Sequence, residues 1–187
     1  MNPTIFHDFQ GSVYNPAYPG ELEAVFHRSE SDEDVLDQVL PMLGYLIKCD
    51  YCFLYLRHPQ QHLSRMTHYW EKNYSHSEML ENSWHLEDKK LLRSPLFKSA
   101  LAAELSVFMD NINAEYRDGL RDTDPLMREE HALAQGHIIK GYQLWGILRV
   151  GILDRPRSWM QFDRSLITHS VQRLVPNVIN YVTTELS

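Results

Sequence analysis

From residue 31 onward the chain switches between two hydrophobic periods. Behind Ser31-Asp32-Glu33-Asp34, the residues Val35, Leu36, Val39, Leu40, Leu43, Leu46 and Ile47 recur at the three- and four-residue spacing of one helix face. A shorter helical segment is predicted at 21–28. Pro41 is expected to kink or restart the longer helix, because its ring has no amide hydrogen and crowds the preceding turn. After Lys48 the helical period stops. Residues 50–57, DYCFLYLR, form an unbroken apolar run of strand type, His58-Pro59-Gln60-Gln61 ends it, and a second strand-like run covers 63–70. The two predict an antiparallel hairpin with a four- or five-residue connection.

Residues 71–95 are polar, and a short helix at 96–103 and a brief strand at 106–109 follow. The Asp-, Asn- and Arg-rich stretch 111–125 is expected to be a surface loop. A short helix is predicted over 126–134 with Gly136 as its stop. Strands at 137–140 and 143–154 then meet at a two-residue turn, Gly141-Tyr142. Ser158 and Gln161 have capping-box spacing ahead of a last helix over about 159–184. That helix places Phe162, Leu166, Ile167, Leu174, Val178, Tyr181 and Val182 on or near one face, and Pro176 is expected to interrupt it. Residues 1–20 mix Pro and Gly with aromatics at no regular period, which predicts an extended N-terminal arm ahead of one domain over 21–187. The order of elements is that of an α+β fold built on an antiparallel sheet.

Composition sharpens this only in part. A chain of 187 residues, 43% hydrophobic and 23% charged, suits one folded domain. The net charge of −7 argues against nucleic acid and against an anionic membrane surface as partners. No apolar run approaches the roughly 18 residues of a membrane span, and the first residues lack the pattern of a signal peptide, so a soluble cytoplasmic protein is expected.

Three strings resemble one known family. Residues 48–57 (KCDYCFLYLR) are similar to the first central strand of GAF domains, and Leu144-Trp145-Gly146-Ile147-Leu148 to their "L-W-G-h-L" strand. Pro156-Arg157-Ser158-Trp159-Met160-Gln161-Phe162-Asp163 is similar to the start of their last helix. With 95–110, the resemblance covers roughly 22–184 and is strongest to cyanobacterial GAF domains, including bilin-binding photoreceptors. It implies a sheet of about six antiparallel strands flanked by helices on both sides, with a small-ligand cavity between the sheet and a loop-and-helix layer. Its members are sensors or dimerisation modules. Bilin-binding relatives attach the chromophore through a Cys followed by His, whereas the corresponding place here is Glu130-His131. Without that thiol, thioether attachment there has no chemical means. What remains is a non-covalently held bilin or another small ligand, with His131 as a contact.

Other candidate chemistry is sparse. Cys49 and Cys52 have C-x-x-C spacing, but on one strand residues three apart point to opposite faces, so the thiols are expected to diverge into structural roles. His58, His62, His68, His76 and His85 show no metal-ligand spacing on a helix, and His131 to His137 is broken by Gly136. His68 alternates with Met66 and Trp70 on one predicted strand face. Asp122, Asp124, Glu129 and Glu130 are expected to form a solvated acidic loop. There is no G-x-S-x-G and no phosphate-cradling Gly-rich loop.

Tyr51, Phe53, Tyr55, Tyr69, Trp70, Trp84, Phe108, Tyr142 and Trp145 are dense for one domain and suit either core or the walls of a flat-ligand pocket. Arg149, Arg155 and Arg157 suit bidentate contacts to ligand propionates or phosphates, or surface pairing with Asp154 and Asp163. The candidate ligand set is therefore His131, Tyr55, Trp70, Phe108, Trp145 and Arg149.

Three functions stay open: a non-catalytic sensory or interaction module with a small ligand, a dimerisation scaffold with a filled pocket, and a thiol-dependent reductase of the free methionine sulfoxide reductase type. Homodimerisation through the helix at 31–47 and the last helix is expected, with a signalling protein as downstream partner.

Overall fold

The computed structural model describes residues 18–73 and 79–187; most of the expected N-terminal arm and His76 lie outside them. Helix α1 (Gly20–Arg28) is followed by α2 (Asp32–Ile47), whose first turn is capped by the Ser31 hydroxyl accepting from the Asp34 amide at 3.1 Å. Strand β1 (Tyr51–His58) pairs antiparallel with β2 (Leu63–Glu71) across the predicted four-residue connection. Strand β3 (His85–Leu86), a one-turn 3-10 helix (Leu91–Arg93), α3 (Pro95–Leu101), β4 (Val107–Met109) and α4 (Ala114–Thr123) come next. Strands β5 (Ala132–Lys140) and β6 (Gln143–Ile152) and the long α5 (Gln161–Glu185) complete the fold. The six strands among the described residues form one sheet in the order β3-β2-β1-β6-β5-β4.

Four expectations are corrected. Pro41 and Pro176 lie inside continuous helices, not at breaks. Each removes one helical hydrogen bond, but Leu40 and Leu43 around the first, and Leu174 and Val178 around the second, are buried in the same core and hold both halves in line. Residues 111–125 contain α4, capped by Asn113 accepting from the Tyr116 amide at 2.8 Å. The helix buries only Leu120, so it carries almost no hydrophobic period. The helix predicted over 126–134 does not form. Its second half opens β5, because Leu133, Ala134 and Gln135 are paired with β4 on one side and β6 on the other. The Ser158–Gln161 box is also replaced: the Asp163 carboxylate accepts from the Met160 amide at 3.0 Å while Gln161 turns to Ser165, and Phe162 is exposed.

The β5–β6 turn is the predicted Gly141-Tyr142 pair, with φ of 56° and 62°. Two positive φ values make a type I′ turn, and glycine takes the first without strain.

One face of the sheet packs on α2 and α5, with α1 against α2, through Cys52, Leu54, Leu56, Ala132, Ala134, Leu148, Val150 and Ile152. The other carries Tyr51, Phe53, Tyr55, Met66, Leu144 and Ile147 beneath α3. Two bulges break the alternation, at Leu54/Tyr55 against β2 and at Ile138/Ile139 against β6. The first sends Met66 to the α3 side while His68 and Trp70 stay under the helices, so the shared face expected for these three does not exist.

His68 is wedged between α2 and α5, 3.5 Å from the Asp37 carboxylate and 5.5 Å from the Tyr181 ring, with Arg65 nearby. Burial, and then the Arg65 charge, push its pKa down to about 4. Because the unfolded imidazole titrates near 6.5, the unfolded chain binds more protons between these values. The stability His68 contributes is therefore complete above pH ~6.5 and lost as pH falls toward 4. The expected loss is about 2–3 kcal/mol, at ~1.4 kcal/mol per pH unit. Urea midpoints across this range should fall less steeply for His68→Gln; identical slopes would refute the assignment.

Candidate functional site

The α3-facing side of β1, β5 and β6 holds a buried polar network within an aromatic wall. Its centre is Arg149 of β6, wholly buried, whose Nη2 donates to Asp124 at 2.8 Å and to the Gln135 side-chain oxygen Oε1 at 2.7 Å. Nη1 reaches the other Asp124 oxygen at 3.4 Å, a forked pairing that suits a planar guanidinium. Asp124, also buried, accepts further bonds from the Ser94 hydroxyl at 3.0 Å and the Leu126 amide at 2.9 Å. Ser94 in turn caps α3 by accepting from the Phe97 amide. Burial works against the Arg149 charge, but Asp124, with Tyr51 and Glu130, more than offsets it and holds its pKa above the ordinary value.

The network runs on along β5. The Gln135 amide nitrogen donates to the Leu96 carbonyl at 2.9 Å and meets His137 Nε2 at 3.0 Å. His137 Nδ1 lies 2.9 Å from the Glu104 carbonyl, so the hydrogen-bond pattern assigns the proton to Nδ1 and leaves Nε2 to accept. Burial, first among several causes, lowers the His137 pKa.

The aromatic wall is Tyr51, Phe53 and Tyr69. Tyr51 stacks on Phe53 and on Tyr69 at 6.0 Å, with Arg128 5.1 Å above the Tyr51 ring and Arg149 5.7 Å from the Phe53 ring. The Tyr51 hydroxyl donates to the fully buried Glu130, and Arg128 donates to the Tyr69 hydroxyl. Burial, and next the Glu130 charge, raise the Tyr51 pKa well above its ordinary value, so it remains a donor.

The six candidate ligand residues do not converge here. Tyr55, bonded to Ser64 at 2.6 Å, and Arg149 face this side. Trp70 packs against Gly44 of α2, Phe108 against Trp159 and Arg164, and Trp145 in the helix-side core. Trp145 lands there because it is the residue bulged out between Leu144 and Gly146 in the pairing with β5. His131 is bound through its backbone, its amide to Ile152 and its carbonyl to Ile112. A groove of about 580 Å³ between Arg93, Pro95, Tyr116 and Leu120 lies elsewhere and includes none of the six.

Other expectations change with this geometry. Asp124 and Glu130 are fully buried, not solvated, whereas Asp122 and Glu129 are exposed. Arg155 and Arg157 do pair with Asp154 and Asp163, but Arg149 does not use the surface. Cys49 and Cys52 do not diverge. Lys48 at φ 56° turns the chain before β1 begins, and both thiols enter the helix-side core, Cys52 donating to the Leu40 carbonyl at 3.3 Å. Burial, and then the neighbouring Cys49, raise the Cys52 pKa well above its ordinary value, the opposite of an activated thiol. Among the described residues no group of three or more His, Cys, Asp or Glu is arranged for a metal ion, and no helix is long and apolar enough to cross a membrane.

No family profile and no curated protein matches this chain. Solved structures do. The GAF domain of an Acinetobacter phosphoenolpyruvate-protein phosphotransferase superposes with a TM-score of 0.68 at 15% identity, over 87% of this chain and 93% of that one. The fold is that of a GAF domain. The same GAF fold relates this chain to a far-red absorbing dark state with bound biliverdin IXa, at TM-score 0.62 and 14% identity, over 86% of this chain and 98% of that one. A free methionine-R-sulfoxide reductase from Neisseria meningitidis, in complex with its substrate, gives 0.63 at 10% identity over 96% and 99%. Identities this low establish the architecture alone.

The network's signal in the sequence was faint. Tyr51, Phe53 and Tyr55 recur at period 2, but β1 is apolar on both faces, so alternation could not say which face they share. Asp124 and Glu130 read as part of a solvated acidic loop and Arg128 as part of a short helix, and only contacts with Arg149, Tyr51 and Tyr69 bring these side chains together on this face.

Proposed function

We propose that this chain is a non-catalytic sensory or interaction module of the GAF type, dimeric through α2 and α5, whose ligand-side face is closed by its own side chains. One observation carries this reading: on that face the buried polar atoms of Arg149, Asp124, Gln135, His137 and Glu130 are engaged with one another or with the backbone. Among the described residues, the buried side-chain polar atoms without a partner belong to Arg65, Trp84, Trp145 and Arg173, outside the network. A self-satisfied network specifies one packing and presents no poised acid, base or nucleophile to a substrate. The thiols a reductase would need lie on the opposite side of the sheet, which weighs against that alternative in spite of the reductase neighbour.

The output fits a change in the packing of α2 against α5, the pair to which β1 and β2 are coupled through the helix-side core, read by a signalling partner.

The test is the visible absorption spectrum and native mass of the protein produced with and without a co-produced bilin. The expected result is no visible band and a mass of two bare polypeptides. A band lost on acid-urea denaturation and extraction would replace the closed face with non-covalent pigment binding, and a single-polypeptide mass at micromolar concentration would remove the dimer.

A further inference from the structure

Glu130 is an unusual occupant of the closed face. Its side chain is fully buried in the segment 124–131, just ahead of β5. One carboxylate oxygen accepts from the Tyr51 hydroxyl of β1, the other from the Arg128 amide at 2.8 Å, and the Arg149 guanidinium of β6 feels its charge. A buried carboxylate is costly unless donors meet it, and here each oxygen has one, with the Arg149 charge beside them.

The two donors and the neighbouring Arg149 charge are held in place without it. Arg149 is fixed by Asp124 and Gln135. The Tyr51 ring rests against both Phe53 and Tyr69. The segment is tied at one end by Asp124 and at the other by the His131 backbone bonds to Ile112 and Ile152. Arg128 is bound across to Tyr69 and Glu71 on β2. These groups together form a preorganised receptor for one carboxylate, beside an aromatic wall.

We propose that this receptor is a binding site for small monocarboxylic acids, occupied in the resting protein by Glu130 as an internal plug. The inference rests on the closed-face reading above and names what closes it. The ligand's carboxylate takes the Tyr51 hydroxyl and the Arg128 amide, in the volume that the Glu130 side chain otherwise fills. An attached carboxylate competes at an effective concentration on the order of millimolar or more, so the unmodified chain resists free acids at moderate concentration.

Removing the plug exposes the site. Thermal unfolding of wild type, Glu130→Ala and Glu130→Gln is measured against formate and acetate, with chloride at matched ionic strength. Glu130→Ala is expected to gain several degrees of midpoint with formate or acetate, saturating with concentration, while wild type and Glu130→Gln move no more than in chloride. If Glu130→Ala does not fold unaided, its refolding yield against formate becomes the readout, and recovery with formate but not chloride supports the site.

A folded Glu130→Ala indifferent to carboxylates, a refolding yield that formate does not raise, or equal shifts in all three proteins would each overturn the proposal. A pigment or other ligand found on the wild-type protein would instead sink the closed-face reading, whatever Glu130→Ala does.

Discussion

Replacing Arg149 with alanine is expected to cost about 3–5 kcal/mol of stability, the range found when one partner of a buried ion pair is removed. The reason is what remains. Asp124 would keep its burial and lose two of its four donors, and the Gln135 side-chain oxygen would lose its Arg149 partner. Asp124 also bonds Ser94, which caps α3, so the loss should reach the α3 layer.

Urea unfolding followed by circular dichroism measures the effect. The pair as such is a different quantity, because two well-packed apolar side chains can replace a buried ion pair at little cost. The double variant Arg149→Met with Asp124→Leu should therefore lose clearly less than the sum of the two single losses. A single loss under about 1 kcal/mol, or strict additivity of the two, would show that the pair does not organise this face.

The second large effect is expected at Gly151, which lies opposite Tyr51 in the β1–β6 register. A Cβ there would sit 2.2 Å from Tyr51 Cε1, 2.4 Å from Cζ and 2.6 Å from the hydroxyl oxygen. Gly151 has no positive φ, so space and not backbone freedom requires glycine. The ring has little room to yield, with Phe53 and Tyr69 stacked against it and the Arg128 guanidinium over it. Overpacking of this kind costs roughly 1–3 kcal/mol, and breaking the hydrogen bond to the charged Glu130 adds about 1.5–3 kcal/mol.

Gly151→Ala is thus expected to lose about 3 kcal/mol or more, read from urea midpoints. In a Tyr51→Leu background the same change should be much cheaper, because the smaller side chain leaves the space that the new methyl needs. Equal costs in the two backgrounds would place the glycine's role elsewhere.

The chain's local patterns determined the architecture. The helical stripe of α2, the apolar run of β1, the hairpin to β2 and the Gly141-Tyr142 turn each follow from spacing that depends only on neighbouring residues, and the strings at 48–57, 144–148 and 156–163 occupy β1, β6 and the start of α5. Where local signal was weak or two-sided, tertiary contacts decided. Helix α4 has one buried apolar residue and was indistinguishable from a loop, while Leu133 to Gln135 became strand because two neighbours offered hydrogen bonds.

The candidate site lay almost wholly on that second side. A bulge opposite Ile138 and Ile139 put Trp145 under the helices, and another at Leu54 and Tyr55 separated Met66 from His68. Strand periodicity cannot see either, since one inserted residue reverses every assignment beyond it. Composition likewise marks Asp124 and Glu130 as solvent-facing, because a charge is interior only when a distant residue pairs with it. Arg149, 25 residues from Asp124, and Tyr51, 79 residues from Glu130, are the partners that only the folded chain brings within reach.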